Sequence, residues 1–282
     1  MTIFRRVTIV GLGLIGGSLG MAIKRRRLAG RVVGVSRHAQ TLRTARRRRV
    51  IDGGTTDLET GVRDAELVVL ATPVDTIAPL AERAARAIQA GAILTDVGST
   101  KAALVRRLER SLPGHVRFVG AHPIAGSEQR GVESANAALF DGTLCVLTVT
   151  SRTDRSAVQR IGRFWRALGV KVLTMSPQAH DQALAVTSHL PHVVANCLAQ
   201  TAHARSLPQP PRSLLEMTRI AASDPELWDD IFLSNRHELL AAMRRFERHW
   251  ARLRDSITRN DRAALLAMLQ AAKRRRDGFE PR

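Results

Sequence analysis

Strand and helix patterns alternate along the first part of this chain of 282 residues, and strand patterns stop after Pro177. Short runs rich in Val, Ile and Leu are each followed by a segment whose apolar residues have helical spacing. The runs that predict strands are Ile3–Val10, Arg31–Ser36, Ala65–Ala71, Ala92–Val97, Arg117–Gly120, Leu144–Val149 and Lys171–Met175. Such alternation is typical of an α/β fold with a doubly wound parallel sheet covered by helices on both faces.

The second part of the chain carries helical periodicity alone. The predicted helices are Gln178–Arg205, Arg212–Ala222, Pro225–Asp255 and Asn260–Arg276. We therefore predict two domains, a sheet domain over residues 1–176 and an all-α domain over residues 177–282. A helical half this small buries its apolar faces best against a second copy, so we expect a homodimer formed through the helical domain.

A Gly-x-Gly-x-x-Gly run follows the first predicted strand and opens the first predicted helix. Gly11 permits the tight turn, Gly13 lets the backbone approach a pyrophosphate, and Gly16 allows close packing of helix and strand. The helix N-terminus, with Leu14 and Ile15, then presents unpaired N–H groups to the phosphates. This context predicts a Rossmann-type dinucleotide-binding domain, whereas an ordinary glycine turn is the alternative reading.

The residues after the second strand bear on the choice of cofactor. Enzymes that use NAD usually have Asp or Glu there, but this chain has Ser36 and Arg37. Arg37 could bind a 2′-phosphate through two hydrogen bonds, which favours NADP and leaves NAD possible. We also assign cofactor binding to Thr72 and Pro73, which follow the strand Ala65–Ala71, because ligands bind at the carboxyl edge of such sheets.

Two segments with acid–base potential follow later strands. His122 comes two residues after the predicted strand Arg117–Gly120, and its ordinary pKa near neutrality makes it the candidate proton acceptor. A structural histidine in a tight turn is the alternative. Ser99, after the strand Ala92–Val97, is expected to cap the next helix, contact the substrate, or do both. Lys101 is as consistent with a surface lysine as with a functional one.

The helical half adds further candidates. Pro191 is expected to break its helix and aim His192 at a ligand, whereas His180 and His189 could cap helices or bind core carboxylates. Arg219 lies in an otherwise apolar helical turn, which suggests a buried anionic partner. The histidines lack the spacing of a metal site, so we predict no metal.

Composition excludes several classes of protein. Two cysteines rule out a disulfide scaffold, and the N-terminal apolar run is too short and glycine-rich to span a membrane, so we expect a soluble cytoplasmic protein. The net charge of +19 comes from forty Arg and four Lys against 25 acidic residues. The basic runs are scattered without interleaved aromatics, so we expect an anionic small-molecule substrate and no nucleic-acid or membrane partner.

The chain resembles the prephenate/arogenate dehydrogenases of tyrosine biosynthesis. The motifs that carry the resemblance are GLGLIGGS (Gly11–Ser18), LVVLATPV (Leu67–Val74), TDVGSTK (Thr95–Lys101), GAHPIAGSE (Gly120–Glu128), HDQALAVTSHLPH (His180–His192) and TRIAASDPELWDDIFLSN (Thr218–Asn235). The resemblance implies oxidative decarboxylation of prephenate to 4-hydroxyphenylpyruvate, or of arogenate to tyrosine. In that reaction His122 would draw the proton from the ring hydroxyl while hydride leaves for the nicotinamide.

The resemblance also implies the remaining site residues. It assigns catalysis to His122 and Ser99, and substrate binding to Ser127, Glu128, His192 and Arg219. The arginine would bind a substrate carboxylate, and the glutamate would lie at the pocket mouth. Family members often carry a Gly-rich segment ending in Lys-Asp-Phe before the Thr-Arg pair. This chain has Leu215 and Glu216 at the Lys and Asp positions, with Arg212 as the possible replacement cation, so prephenate, arogenate and an analogue all stay open.

Two other functions are compatible with parts of the sequence. One is another two-domain NADP dehydrogenase for a small carboxylic acid, although such enzymes usually use a lysine of the second domain and this one has only Lys273. The other is a non-enzymatic protein that senses dinucleotides or binds nucleic acid, which would leave His122 and Arg219 without a role. The motifs favour a dehydrogenase, and we expect it to be monofunctional and without a regulatory domain.

Overall fold

The computed structural model describes residues 2–126, 129–202 and 209–279. These residues form an eight-stranded sheet in the order β3–β2–β1–β4–β5–β6–β7–β8. The strands are β1 (Phe4–Val10), β2 (Ala29–Val35), β3 (Gly53–Thr55), β4 (Leu67–Leu70), β5 (Ile93–Asp96), β6 (Arg117–Ile124), β7 (Leu144–Thr148) and β8 (Lys171–Met175). The first six follow the order of a doubly wound dinucleotide-binding sheet, which confirms the predicted fold class.

One strand pair departs from the expected parallel sheet. β6 pairs in parallel with β5 over Arg117–Val119, and then pairs with β7 in antiparallel register over Gly120–Ile124. β6 therefore runs past the end of β5 and four residues beyond the predicted end at Gly120. His122 lies opposite Val146 within this extension, so it belongs to the strand itself, whereas we expected it after the end of the strand.

Helices cover both faces of the sheet because the strands are apolar on both sides. In β4, Leu67 and Val69 face one hydrophobic cluster, and Val68 and Leu70 face the other. The first cluster includes Leu19, Ile23, Phe164 and Trp165 from the helices, and the second includes Val62, Ile77, Ala81 and Leu108. Near-continuous Val, Leu and Ile in the strands is the pattern of a sheet that is buried on both faces.

The helices follow the predicted pattern with several differences. They are α1 (Leu14–Arg25), α2 (Ala39–Arg47), α3 (Leu58–Val62), α4 (Val74–Ala84), α5 (Ala102–Ser111), α6 (Arg155–Ala167), α7 (Pro177–Leu184), α8 (Leu190–Thr201), α9 (Arg212–Thr218), α10 (Pro225–Ser234), α11 (Arg236–Thr258) and α12 (Arg262–Asp277). Strand β3 and helix α3 were not predicted because each is too short to show a period. The single helix expected over Pro225–Asp255 is two helices that meet at Asn235.

The expected break at Pro191 is absent. A π-helical turn, Ala185–His189, joins α7 to α8, and Pro191 lies in the first turn of α8. Proline lacks a backbone N–H and clashes with the carbonyl four residues earlier, and a π-helical turn accommodates such a defect without ending the helix. The prediction of a helix broken at Pro191 was therefore wrong.

The chain divides into two compact units, residues 1–235 and 236–282. The first unit contains the sheet and helices α1 to α10, and the second contains α11 and α12, which pack against each other. The sheet and the helices that follow it directly are therefore parts of one unit. Our domain boundary after residue 176 stays a prediction. None of the described helices is long and apolar enough to cross a membrane.

Candidate functional site

A cleft of about 790 Å³ lies at the carboxyl ends of β1, β2 and β4. It is lined by six of the residues that we predicted to bind a cofactor, namely Gly11, Gly13, Ser36, Arg37, Thr72 and Pro73. The other three, Leu14, Ile15 and Gly16, begin helix α1 beside it and are not part of the lining. The size and position of the cleft suit a dinucleotide at the switch point of the sheet.

The three glycines have the geometry that a dinucleotide requires. Gly11 has φ +92°, and a Cβ on it would lie 2.4 Å from the carbonyl oxygen of Ala71. A Cβ on Gly16 would lie 2.0 Å from the carbonyl oxygen of Gly11, which holds the helix close to the turn. Nothing lies within 4 Å of the Cβ position of Gly13, so its backbone is open to a ligand, and no side chain caps α1 there. These features fit a pyrophosphate at the helix N-terminus.

The end of the cleft beyond β2 carries charges of both signs. Arg37 is exposed and Ser36 is half-buried, and the Ser36 hydroxyl accepts a hydrogen bond from the backbone N–H of His38. Asp57, which sequence reasoning missed, also lines the cleft and caps α3 by accepting from the Thr60 N–H at 2.8 Å. That cap holds the pKa of Asp57 below its ordinary value. Arg83, also in the lining, is held by Glu59 at 2.9 Å, so Arg37 is the more available cation.

His122 lies near the same edge of the sheet as this cleft. Because β4, β5 and β6 are parallel, their carboxyl ends share one edge. His122 is only 9% exposed, and its Nδ1 lies 2.8 Å from Nε2 of His180. Burial is the main cause that holds the pKa of His122 well below 6.5, followed by repulsion between its protonated form and the charges that His180, Lys101 and His189 carry when they are protonated. The ring is therefore neutral near pH 7, which is the state of a proton acceptor.

His180 connects His122 to a buried carboxylate. Its Nδ1 lies 2.7 Å from Oδ1 of Asp181, and both side chains are almost fully buried. Asp181 also accepts from the backbone N–H groups of Lys101 and Ala102, each at 2.8 Å. Its carboxylate thus caps helix α5 from a helix of the second half of the chain. The sequence predicted, as one of two alternatives, that His180 binds a core carboxylate. It did not indicate the contact with His122.

Lys101 is neither a surface lysine nor an exposed ligand. Its side chain is 0% exposed and forms an ion pair with Asp96 at the end of β5. Asp96 also accepts from the N–H groups of Gly98 at 2.8 Å and Ala121 at 3.2 Å. The buried pair therefore ties the end of β5 to β6 directly beside His122.

The π-helical turn places two more histidines. His189 is buried, and burial lowers its pKa to about 4. Its Nδ1 lies 3.1 Å from Nδ2 of Asn235, which also donates to the backbone carbonyl of Asp181 at 2.9 Å. One turn later, His192 donates from Nδ1 to the Ser188 carbonyl, and its ring stacks on Trp228 with centroids 3.3 Å apart. Asn235 and Trp228 were missed because nothing in their spacing marks them.

Ser99 does not cap α5, contrary to one of our expectations. The N-cap position is Lys101, and the capping carboxylate is that of Asp181. The Ser99 side chain is half-buried and has no hydrogen-bond partner within the described ranges. Ser99 follows β5 at the carboxyl edge of the sheet. Its hydroxyl is therefore in a position to contact a ligand.

The structure also corrects our expectation for Arg219. We expected this arginine to have a buried anionic partner, but it is exposed, it begins a 3₁₀ turn over Arg219–Ala222, and it has no ion pair with another described residue. Its charge acts on His192, whose pKa is lowered mainly by burial and further by this arginine. Arg212, the proposed replacement cation, is paired with Glu216 at 2.7 Å. The predicted substrate residues Ser127 and Glu128 lie outside the described residues.

The described residues contain no group of three or more His, Cys, Asp or Glu placed to hold a metal ion. They do form a cleft of a size that suits a dinucleotide. At the same edge of the sheet lies the neutral, buried imidazole of His122, which is linked to the Asp181 carboxylate through His180. Such a pairing is suited to hydride removal from a carbon whose hydroxyl loses its proton.

Comparisons with known proteins agree with this geometry. Residues 19–174 match the family model of the prephenate dehydrogenase nucleotide-binding domain, and residues 176–271 match that of the prephenate dehydrogenase dimerization domain. The chain is 35% identical over 280 residues to prephenate dehydrogenase of Bacillus subtilis (strain 168), covering 97% of this chain and 76% of that protein.

Two solved structures are similar over nearly the whole chain. The structure of prephenate dehydrogenase from A. aeolicus in complex with hydroxyphenyl propionate and NAD+ has a TM-score of 0.91 and 35% identity, covering 98% of both chains. Synechocystis arogenate dehydrogenase has a TM-score of 0.84 and 30% identity, covering 98% of this chain and 100% of that one.

Proposed function

The chain belongs to the prephenate dehydrogenase family, and we propose that it converts prephenate to 4-hydroxyphenylpyruvate and CO2 with a nicotinamide dinucleotide. The observation that carries the proposal is the neutral, buried His122 at the sheet edge that also bears the dinucleotide cleft. It is supported by the match of both family models and by the similarity to a prephenate dehydrogenase bound to NAD+.

The glycine turn and the open N-terminus of α1 fit the pyrophosphate of the cofactor, and Thr72 and Pro73 belong to the lining of the same cleft. When bound, the nicotinamide ring supplies the acceptor for the hydride that leaves ring carbon C4 of the substrate. The task of the protein is to hold C4 close to that acceptor and to handle the proton of the C4 hydroxyl.

We infer that His122 takes this proton and later returns it. As hydride leaves C4, the hydroxyl becomes a carbonyl and its proton passes to His122. When the carboxylate leaves as CO2, its bonding electrons make the ring aromatic, and the C4 oxygen regains the proton from His122. The overall reaction releases no net proton, so an imidazole that both accepts and donates is sufficient.

The substrate contacts are also part of the proposal. Ser99 would bind the C4 hydroxyl together with His122, and Arg219 would bind a carboxylate of the substrate through its exposed guanidinium. His192, fixed by its stacking on Trp228, would line the same pocket. Ser127 and Glu128 complete the set by their place in the motif, with Glu128 at the mouth.

The substrate is tested by supplying prephenate and arogenate separately with NADP and NAD and following reduced cofactor, with the products identified by mass. We expect turnover of prephenate to exceed that of arogenate. Leu215 and Glu216, which replace an expected Lys and Asp, are the reason to test arogenate, and a similar structure is an arogenate dehydrogenase. Absence of turnover with both substrates and both cofactors would disprove the proposed function.

Cofactor preference is tested at Arg37. Because Arg37 is exposed in the cleft and Arg83 is already paired, we propose that Arg37 binds the 2′-phosphate of NADP. The Arg37→Gln variant should raise KM for NADP about tenfold and leave KM for NAD within about twofold, the loss of one charge-assisted contact. The matched control is Arg43→Gln, an exposed arginine of α2 whose side chain bonds Gln40. Equal effects of Arg37→Gln on both cofactors would contradict the assignment.

We infer that the protein works as a homodimer. The match to a dimerization domain supports this, and so do the apolar side chains exposed on the unit of residues 236–282. Trp250 and Ile257 on α11 are 60% and 62% exposed, as surfaces for a partner chain commonly are.

A further inference from the structure

We propose that His180 and Asp181 are positioning residues for the proposed reaction: they fix the tautomer of His122 and provide the negative charge that its protonated form requires. The inference rests on the proposed role of His122 as proton acceptor. It assigns a function to two buried groups that take no other part in the reaction. Neither residue is among those proposed to contact the substrate or the cofactor.

The direction of each hydrogen bond follows from Asp181. Both of its oxygens accept backbone N–H groups, Oδ1 from Lys101 and Oδ2 from Ala102. The ionised carboxylate matches these donors, so the contact of Oδ1 with Nδ1 of His180 requires His180 to donate. A neutral His180 then has its lone pair on Nε2.

The same reasoning determines the tautomer of His122. Because Nε2 of His180 accepts, the 2.8 Å contact requires Nδ1 of His122 to carry the proton and donate it. The lone pair of His122 is thereby fixed on Nε2, the nitrogen that has no partner in this chain of hydrogen bonds. An isolated imidazole populates both neutral tautomers, and only the one with the free Nε2 can take the substrate proton from that side.

The buried charges near His122 show why a carboxylate is needed. Lys101 is neutralised by its ion pair with Asp96. Asp181 is held by backbone N–H groups and by a neutral imidazole, so its negative charge is not matched by a full positive charge among the described residues that contact it. When His122 is protonated, His180 links the new positive charge to this carboxylate. A buried cation without such a partner would be strongly disfavoured.

A purely structural role accounts for only part of this arrangement. Capping of α5 requires the carboxylate of Asp181, and Asn235 holds the Asp181 backbone, but neither contact needs the His180 ring. The decisive variants therefore change His180 and leave Asp181 in place. His180→Gln retains one acceptor and one donor between His122 and Asp181, whereas His180→Leu fills the space without either.

The first measurement is independent of any substrate. In protein labelled with ¹⁵N at histidine, the His122 signals are assigned by their loss in His122→Asn. At a pH above about 7, we expect the wild type to show Nδ1 protonated and Nε2 unprotonated, and His180→Leu to show a mixture of the two tautomers. A wild-type ring protonated on Nε2 would overturn the inference, whether or not the protein turns over prephenate.

The second measurement is kinetic. We expect His180→Leu to lower kcat with prephenate about 10²- to 10⁴-fold while KM for the cofactor stays within about twofold, since protonated His122 then loses its hydrogen-bonded link to the Asp181 carboxylate and the binding site is unchanged. His180→Gln should keep kcat within about tenfold of wild type because it preserves the donor and acceptor pattern. If both variants are folded by circular dichroism and both retain wild-type kcat, the inference is wrong while the proposed function stands.

Discussion

His122 sets the pH dependence of the reaction at the scale of single residues. Its pKa is held well below 6.5 mainly by burial, and further by repulsion between its protonated form and the charges that His180, Lys101 and His189 carry when they are protonated. A proton acceptor must start neutral, so a lowered pKa extends activity toward acid pH. We predict that kcat/KM for prephenate is level as pH falls through 6.5 and decreases only at lower pH, as the ring takes up a proton.

The measurement is the pH profile of kcat/KM in the range where the protein stays folded. The same profile for His189→Gln is an informative companion, because the variant removes a ring that repels protonated His122 once it is itself protonated, near pH 4. An inflection at or above the ordinary histidine pKa in the wild type would contradict the account, since it would place the acceptor in a solvated environment.

At the scale of secondary-structure elements, two helices of the sheet layer are capped by carboxylates of later helices. Asp181 of α7 caps α5, and Asp230 of α10 accepts from the N–H of Asp75 at the start of α4, at 3.2 Å. Neither α4 nor α5 has a side-chain cap of its own. The two caps therefore fix the helices α7 and α10 against the sheet edge that bears the candidate site.

The two caps should differ in their effect on stability. Burial, with the nearby charges of Asp75 and Asp229, raises the pKa of Asp230 above 3.8. A raised pKa in the folded state means that the stability contributed by the protonated form is fully present below pH 3.8 and is lost as pH rises through the folded value. We therefore predict that Asp230→Asn, which keeps an acceptor and removes the charge, raises Tm at neutral pH.

Thermal melts at several pH values test this prediction. The gain from Asp230→Asn should disappear in acid, where wild-type Asp230 is protonated, and Glu247→Gln on the exposed face of α11 serves as the control. By contrast, Asp181→Asn should lower stability by about 1–2 kcal/mol, because one of its two acceptor oxygens becomes a donor facing a backbone N–H. A lower Tm for Asp230→Asn at neutral pH would refute the electrostatic argument.

Most helices and strands could be predicted from the sequence because each is long enough to show a clear hydrophobic period. Seven of the eight strands overlap predicted strands, but β3 is only three residues long and leaves no pattern. The antiparallel extension of β6 is set by β7, which is too distant in sequence for local patterns to indicate. The π-helical turn at Ala185–His189 and the break at Asn235 likewise depend on tertiary contacts, among them the hydrogen bonds of Asn235 to Asp181 and His189.

At the scale of the whole molecule, the sequence shows which residues end strands at one edge but not which of them meet. His122 and the cofactor glycines could be assigned to that edge because parallel strands share it. The contact between His122 and His180 spans 58 residues and joins the sheet to a later helix, so no local pattern predicts it. Arg219 was expected to have a buried anionic partner because its neighbours are apolar, yet it lies exposed in a short 3₁₀ turn.

Turnover of prephenate by His122→Asn, compared with His115→Asn, tests the central claim most directly. His115 is an exposed histidine of the same domain, outside the cleft and the hydrogen-bonded chain, so its variant should match the wild type. We predict that His122→Asn lowers kcat about 10²- to 10⁴-fold with little change in KM for the cofactor. Full activity of folded His122→Asn would contradict the account, because the proton of the C4 hydroxyl would then have another acceptor.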